Sequence, residues 1–214
     1  LSFKLRHTNP EKALGYADRG LKLSEKIDFQ KGISDCLYIT GLLSYDKGDY
    51  PRALENTSKC LEIRKKIGNK KGIAYAYNNF GLIYWRLGNY EKALENHIKS
   101  LEIRKEMNDQ EGVSASYNNI GLIKWNQGNY DQALEYYFKS LKMAQKVGKK
   151  FLIANSFNNI GLIYWNRGEF NNALDYYYKC LKLYKELGDK NSIAVLYNNI
   201  GLIYWDQGNY SRSL

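Results

Sequence analysis

Asparagine pairs recur along this chain at a fixed step: Asn78-Asn79, Asn118-Asn119, Asn158-Asn159 and Asn198-Asn199. A carboxamide carries one acceptor oxygen and two donor hydrogens, which match the C=O and N–H of an extended backbone. A row of such groups can hold a peptide without reading its sequence. Tryptophan keeps the same step at Trp85, Trp125, Trp165 and Trp205, which are all four in the chain. Each adds flat apolar area and one N–H donor, a common anchor composition at interfaces. Other chemistry is scarce. His97 stands in a slot filled elsewhere by Thr57, Tyr137 and Tyr177 and reads as a substitute there; His7 is the other histidine. Cys36, Cys60 and Cys180 fit no metal-ligand spacing. Cys60 and Cys180 share a slot with Ser100 and Ser140, so that slot reads as small-residue packing. No Gly-rich phosphate loop and no nucleophile–base pair is present in the sequence. The expectation is a chain with no catalysis, no cofactor and no metal.

The elements that must position these residues follow from the same 40-residue period, which implies a stack of similar supersecondary units. In residues 72–111, helical spacing runs over 73–87, Gly88-Asn89 breaks it, and a second helix is expected over 90–107. Each repeat is thus a helix A, a tight turn, a helix B and a short loop. Gly41, Gly81, Gly121 and Gly161 lie 12 residues before Ala53, Ala93, Ala133 and Ala173. These small residues are expected to let helices A and B approach closely, with Tyr77 and Tyr84 filling the space beside the contact. On helix A, Asn78, Leu82 and Trp85 share one stripe, and Asn79, Ile83 and Arg86 share the next. Two readings of the Asn and Trp rows stay open: facing a ligand, or bonding and packing successive helices. If they face a ligand, slots that vary between repeats should supply specificity. One such set is Asp35, Tyr75, Ala115, Asn155 and Val195; another is Asp46, Arg86, Asn126, Asn166 and Asp206. The first unit carries Tyr38-Ile39 in place of Asn-Asn and Tyr45 in place of Trp, as the boundary of a groove would.

The pattern Tyr77, Phe80-Gly81, Tyr84, Gly88, Ala93, repeated as Tyr117, Ile120-Gly121, Gly128, Ala133, resembles the tetratricopeptide repeat. Two features depart from it: the period is 40 where about 34 is usual, and the proline at the repeat end is missing. The longer period resembles the subgroup of kinesin light chains, Leu-Gly-Asn-rich adaptors and sensor regions of bacterial signalling proteins. The resemblance implies an all-α fold, a right-handed superhelical solenoid of helix-turn-helix repeats, with the A helices lining a concave groove. It divides the chain into a partial repeat at 1–31, complete repeats at 32–71, 72–111, 112–151 and 152–191, and a partial repeat at 192–214. It implies a non-catalytic scaffold that binds a protein or an extended peptide, as a sensory or interaction region of a larger signalling protein. An intracellular adaptor and a purely structural spacer are the alternatives.

The formal net charge is +10. Much of the excess sits at Arg64, Lys65 and Lys66, at Lys139, Lys142, Lys146, Lys149 and Lys150, and at Lys179, Lys182 and Lys185. These fall late in B helices or just beyond, where cations complement the helix dipole, and read as a solvated face. A nucleic-acid partner read one base per repeat would need reading positions that vary, and Asn-Asn hardly varies. No apolar run reaches the roughly 20 residues that span a bilayer, so no membrane contact is expected of this stretch and the cytoplasm is favoured. Both ends are expected to be adhesive. Ile193, Leu196, Ile200 and Ile203 should lie open where the last helix A lacks most of its helix B, predicting head-to-tail self-association.

Overall fold

The computed structural model describes residues 5–208. Among the described residues there are ten α-helices and no strand. They are α1 (Pro10–Lys26), α2 (Gln30–Asp46), α3 (Tyr50–Lys66), α4 (Lys70–Arg86), α5 (Tyr90–Glu106), α6 (Gln110–Asn126), α7 (Tyr130–Val147), α8 (Lys150–Asn166), α9 (Phe170–Leu187) and α10 (Lys190–Asp206). The chain forms two compact units, residues 1–108 with α1–α5 and residues 109–214 with α6–α10. Each unit is a run of helix-turn-helix hairpins.

Helix α4 begins three residues before the expected 73, because Asn69 caps it. The Asn69 side-chain oxygen accepts from the Gly72 N–H at 2.9 Å and satisfies one of the free donors of the first turn. The turn after α4 needs a left-handed residue, which Gly88 supplies at φ +73°. At the corresponding break after α5, Asn108 adopts φ +55°, as Asn does more readily than most side chains. Residues 210–214, where a further helix B was expected to start, lie outside the described residues.

The small-residue contact is real but differs in its partner. Ala53, Ala93, Ala133 and Ala173 are all fully buried. Gly41 and Gly161 do sit against the Ala53 and Ala173 carbonyls. The tighter constraint comes one turn later on helix B, from Thr57, His97, Tyr137 and Tyr177. A Cβ at Gly81 would meet the His97 ring at 2.6 Å, and one at Gly121 the Tyr137 ring at 2.7 Å. The Cys/Ser slot is buried as expected and also has a polar use. Ser100 Oγ donates to Ala74 O at 2.9 Å, Ser140 Oγ to Ser114 O at 2.9 Å and Cys180 Sγ to Ala154 O at 3.1 Å. The slot ties helix B to helix A of its own hairpin.

Part of the basic excess is a solvated face. Lys59–Glu55, Lys99–Glu95, Lys139–Glu135 and Lys179–Asp175 form i,i+4 pairs on exposed helix B surface. Arg64 corrects that reading: it is 3 % exposed. Its guanidinium donates to Gly72 O at 2.9 Å and to Asp35 Oδ1 at 3.1 Å, and lies 4.6 Å from the Tyr38 ring centroid. The expectation for α10 is corrected too. Leu196, Ile200 and Ile203 are buried in a cluster with Tyr177, Leu181 and Tyr184, and the exposed large apolar residues of α10 are Val195, Tyr197, Leu202 and Trp205.

Candidate functional site

The asparagine rows divide according to the residue each Asn meets on the preceding helix B. In the first unit, that residue before Asn79 is Thr57. Thr57 is small enough for Asn79 to swing inward, where its Nδ2 donates to Thr57 Oγ1 at 2.8 Å and the side chain is fully buried. Asn79 is thereby removed from the ligand-facing set: it fastens α4 to α3. In the second unit the slot before Asn159 holds Tyr137, whose ring fills the interior. Asn159 stays half-buried, and its Nδ2 donates to Asn118 Oδ1 on the neighbouring A helix at 2.7 Å. Asn158 Nδ2 in turn approaches Asn159 Oδ1 at 3.4 Å. The result is a directed chain of carboxamides, Asn158 to Asn159 to Asn118, that links α8 to α6. Asn78 and Asn119 are half-buried, Asn199 is half-buried and Asn198 is exposed.

The tryptophans follow a related rule. Trp85, Trp125 and Trp165 are half-buried, and Trp205 is 60 % exposed. Trp165 packs against the α9–α10 core and its Nε1 donates to Asp206 Oδ2 at 2.8 Å. Tyr45, which fills the Trp slot of α2, accepts from Arg86 Nε at 3.1 Å in the same relation. The Arg86 guanidinium also lies 4.8 Å from the Trp85 ring centroid. Asp46 receives both arms of Arg6. The slot after Trp therefore serves, at Arg86 and Asp206, to tie one A helix to the previous one, and at Asp46 to tie α2 to the segment before α1. Asn126 and Asn166 instead donate to the carbonyls of Leu122 and Leu162.

The other variable slot also has a structural partner, on helix B of its own hairpin. Asp35 pairs with Arg64. Tyr75 lies under Arg104, with 5.6 Å between the guanidinium carbon and the ring centroid. Asn155 accepts from Tyr184 OH at 2.7 Å. Ala115 and Ala144 occupy the equivalent positions in the third complete hairpin. These pairings were missed by sequence reasoning, which assigned the slot to specificity. The signal was available: the two positions, 29 residues apart, change together from hairpin to hairpin.

In the second unit the Asn row borders a cavity of about 100 Å³ lined by Ser114, Ala115, Asn118, Asn119, Ser140, Leu152 and Asn155. Burial, then the charge of Arg104, holds His97 down at about 3. Burial lifts the Cys60 thiol to about 11 and the Cys180 thiol to about 12, which keeps both protonated and unreactive at neutral pH. Among the described residues no group of His, Cys, Asp or Glu is placed to hold a metal ion. No helix among them is long and apolar enough to cross a membrane.

A family model described as tetratricopeptide repeat matches residues 35–106, 72–146, 112–165 and 152–214. A 55-residue stretch is 36% identical to tetratricopeptide repeat protein 29 of Trypanosoma brucei brucei, covering 26% of this chain and 11% of that protein. The chain thus spans about a tenth of that curated relative. The solved structure of BtubC (BKLC) from P. vanneervenii is similar at a TM-score of 0.81 and 18% identity, over 96% of this chain and 87% of that one. A Signal Transduction ATPase with Numerous Domains protein from Pyrococcus horikoshii, with a tetratricopeptide repeat sensor, gives 0.81 at 21% identity, over 94% of this chain and 31% of that one. The Rap conjugation gene regulator of the plasmid pLS20, in complex with the Phr* peptide, gives 0.75 at 18% identity, over 88% and 53%.

Proposed function

This chain belongs to the tetratricopeptide repeat family, and we propose that it is a non-catalytic scaffold for an extended peptide or a protein segment, acting as a sensory or interaction region of a larger signalling protein. The observation that carries the reading is the carboxamide chain of α6 and α8. Asn158, Asn159 and Asn118 are aligned by one another and remain half-buried, so the helices present oriented amide groups at their surface. Amides held this way lose little freedom when they bond a peptide backbone, which is the physical content of preorganisation. Asn119 and the half-buried Trp125 and Trp165 belong to the same surface in this proposal. A peptide-bound Rap regulator and a sensor-bearing ATPase among the structural relatives support the sensory role.

A phage-displayed library of random nine-residue peptides, selected against the full chain, tests the reading. Enriched peptides should lose about fivefold in affinity for Asn119→Ala and for Asn159→Ala, since one net hydrogen bond is worth about 1 kcal/mol. Circular dichroism should show both variants folded. Failure to enrich any peptide, or equal affinity for both variants and the parent chain, would overturn the assignment.

A further inference from the structure

The cavity among α6, α7 and α8 is the vacated counterpart of a buried arginine site. In the first unit Arg64 reaches three places: the Asp35 carboxylate, the Tyr38 ring and the Gly72 carbonyl. Two repeats later, at 80 residues' distance, the equivalent positions are Ala115, Asn118 and Leu152, and all three line the cavity. The equivalent of Arg64 itself is Ala144, which is fully buried and whose methyl group is too short to fill the space. Where Asp35–Arg64, Tyr75–Arg104 and Asn155–Tyr184 each close the hairpin with large partners, the pair Ala115–Ala144 leaves it open.

The hydrogen bonds around the cavity decide what it can receive. Acceptors on five of its lining residues are already engaged. Asn118 Oδ1 takes a bond from Asn159, Asn155 Oδ1 from Tyr184 OH, and Leu152 O from Ser156 Oγ. Ser114 and Ser140 exchange bonds between their hydroxyls and each other's carbonyls. Because both carboxamides have their oxygen fixed, the Nδ2 groups of Asn118 and Asn155 are left as the uncommitted ends, and both side chains line the cavity. A donor-only guanidinium would have to share the acceptors that these bonds already use. A carboxylate, which only accepts, would find two amide donors. The volume of about 100 Å³ is room for some three water-sized groups at roughly 30 Å³ each, which fits a carboxylate and its methylene. Leu152 also lies in the first turn of α8, where the helix dipole favours an anion.

We propose that this cavity is a side-chain subsite that takes one aspartate or glutamate of an extended peptide bound to the second unit. The inference rests on the peptide-binding reading above and adds to it a specificity element, set by the alanine pair and not by the Asn row.

Fluorescence polarisation with the full chain and three labelled nine-residue probes tests this. The probes consist of alanine and serine with a central Glu, Gln or Arg. The Glu probe should bind about tenfold tighter than the Gln probe, the Arg probe weakest, and added salt should narrow the gap. Ala115→Leu, which fills the cavity, should equalise the Glu and Gln probes while leaving the Gln affinity unchanged. Asn155→Asp is the second variant. A carboxylate there still accepts from Tyr184, so the hairpin stays closed, and the cavity becomes acidic; the order of Glu and Arg probes should reverse. Equal binding of all three probes to the parent chain would overturn the subsite and leave the peptide-binding reading standing. Preference of the parent chain for the Arg probe would replace the carboxylate by a guanidinium and so refute the donor argument. No binding of any probe would count against the peptide-binding reading itself, and the subsite would fall with it.

Discussion

Two glycines in equivalent positions should respond oppositely to the same added methyl group. At Gly121 a Cβ would lie 2.7 Å from Tyr137 Cε1 and 2.8 Å from Cδ1, and the ring, 1% exposed, has nowhere to retreat. At Gly41 the nearest atom is Thr57 Oγ1 at 3.1 Å, followed by Ala53 O at 3.5 Å, so a shift of a few tenths of an ångström suffices. Both substitutions gain about 1 kcal/mol of helix propensity. Overpacking a rigid contact costs about 1–3 kcal/mol. Gly121→Ala should therefore be destabilised by up to about 2 kcal/mol, by subtracting the propensity gain from the packing cost. Gly41→Ala should be neutral or gain up to about 1 kcal/mol. Gly121→Leu should be worse than Gly121→Ala. Urea unfolding of the full chain, followed by circular dichroism at 222 nm, measures all three. The contact can be isolated with Tyr137→Thr, which copies the Gly41–Thr57 arrangement. In that background the penalty of Gly121→Ala should disappear, a coupling that a double-mutant cycle reads directly. If Gly121→Ala proves as stable as Gly41→Ala, the aromatic slot does not set the helix spacing and the packing argument fails.

Stability should fall in mild acid because of His97. Its folded value of about 3 lies below the ordinary imidazole value of about 6.5, so the unfolded chain takes up the proton first. This contribution is complete above about 6.5 and is lost as the pH falls towards 3, amounting to about 2–3 kcal/mol by pH 4.5. His97→Tyr, which copies Tyr137 and Tyr177, should flatten the change between pH 7 and 4.5; parallel profiles for parent and variant would refute the assignment. Arg64→Ala should cost about 1.5–3 kcal/mol, the range for hydrogen bonds to charged groups, in urea unfolding. Asp35→Ala combined with it copies Ala115–Ala144 and should cost less than the two single changes added, because the exposed half of Asp35 no longer seeks a partner. Strict additivity would show that the pair is not coupled.

The period, the hairpins and their turns were legible because they are written in residues with few conformational alternatives: Gly at the left-handed turns, Ala and Gly at close approaches. The direction in which each asparagine points was not, because it depends on a residue on another helix. Asn79 and Asn159 share the setting Asn-Asn-x-Gly-Leu-Ile-Tyr-Trp and have different fates. Thr57 admits the first and Tyr137 turns the second outward, so the same Asn is a rivet in one hairpin and a surface amide in another. The fate of Arg64 was hidden for a similar reason. Among the neighbouring Lys65 and Lys66 it looks like one more solvated charge, and only Asp35, 29 residues away, marks it as a buried partner.

The same comparison changes what variation between repeats means. A slot that differs in every hairpin looks like a specificity position when read alone. Read in pairs, Asp35 with Arg64, Tyr75 with Arg104 and Asn155 with Tyr184, the variation is compensated and each hairpin is closed by a different solution to one packing problem. Specificity then falls where the compensation stops. Ala115 and Ala144 are the pair that leaves its space unfilled, and the surrounding bonds engage the oxygens of Asn118 and Asn155 and leave their two amide donors. In a repeat array a recognition site need not be an added motif. It can be a place where a recurring internal contact has been shortened until a partner's side chain is needed to complete it.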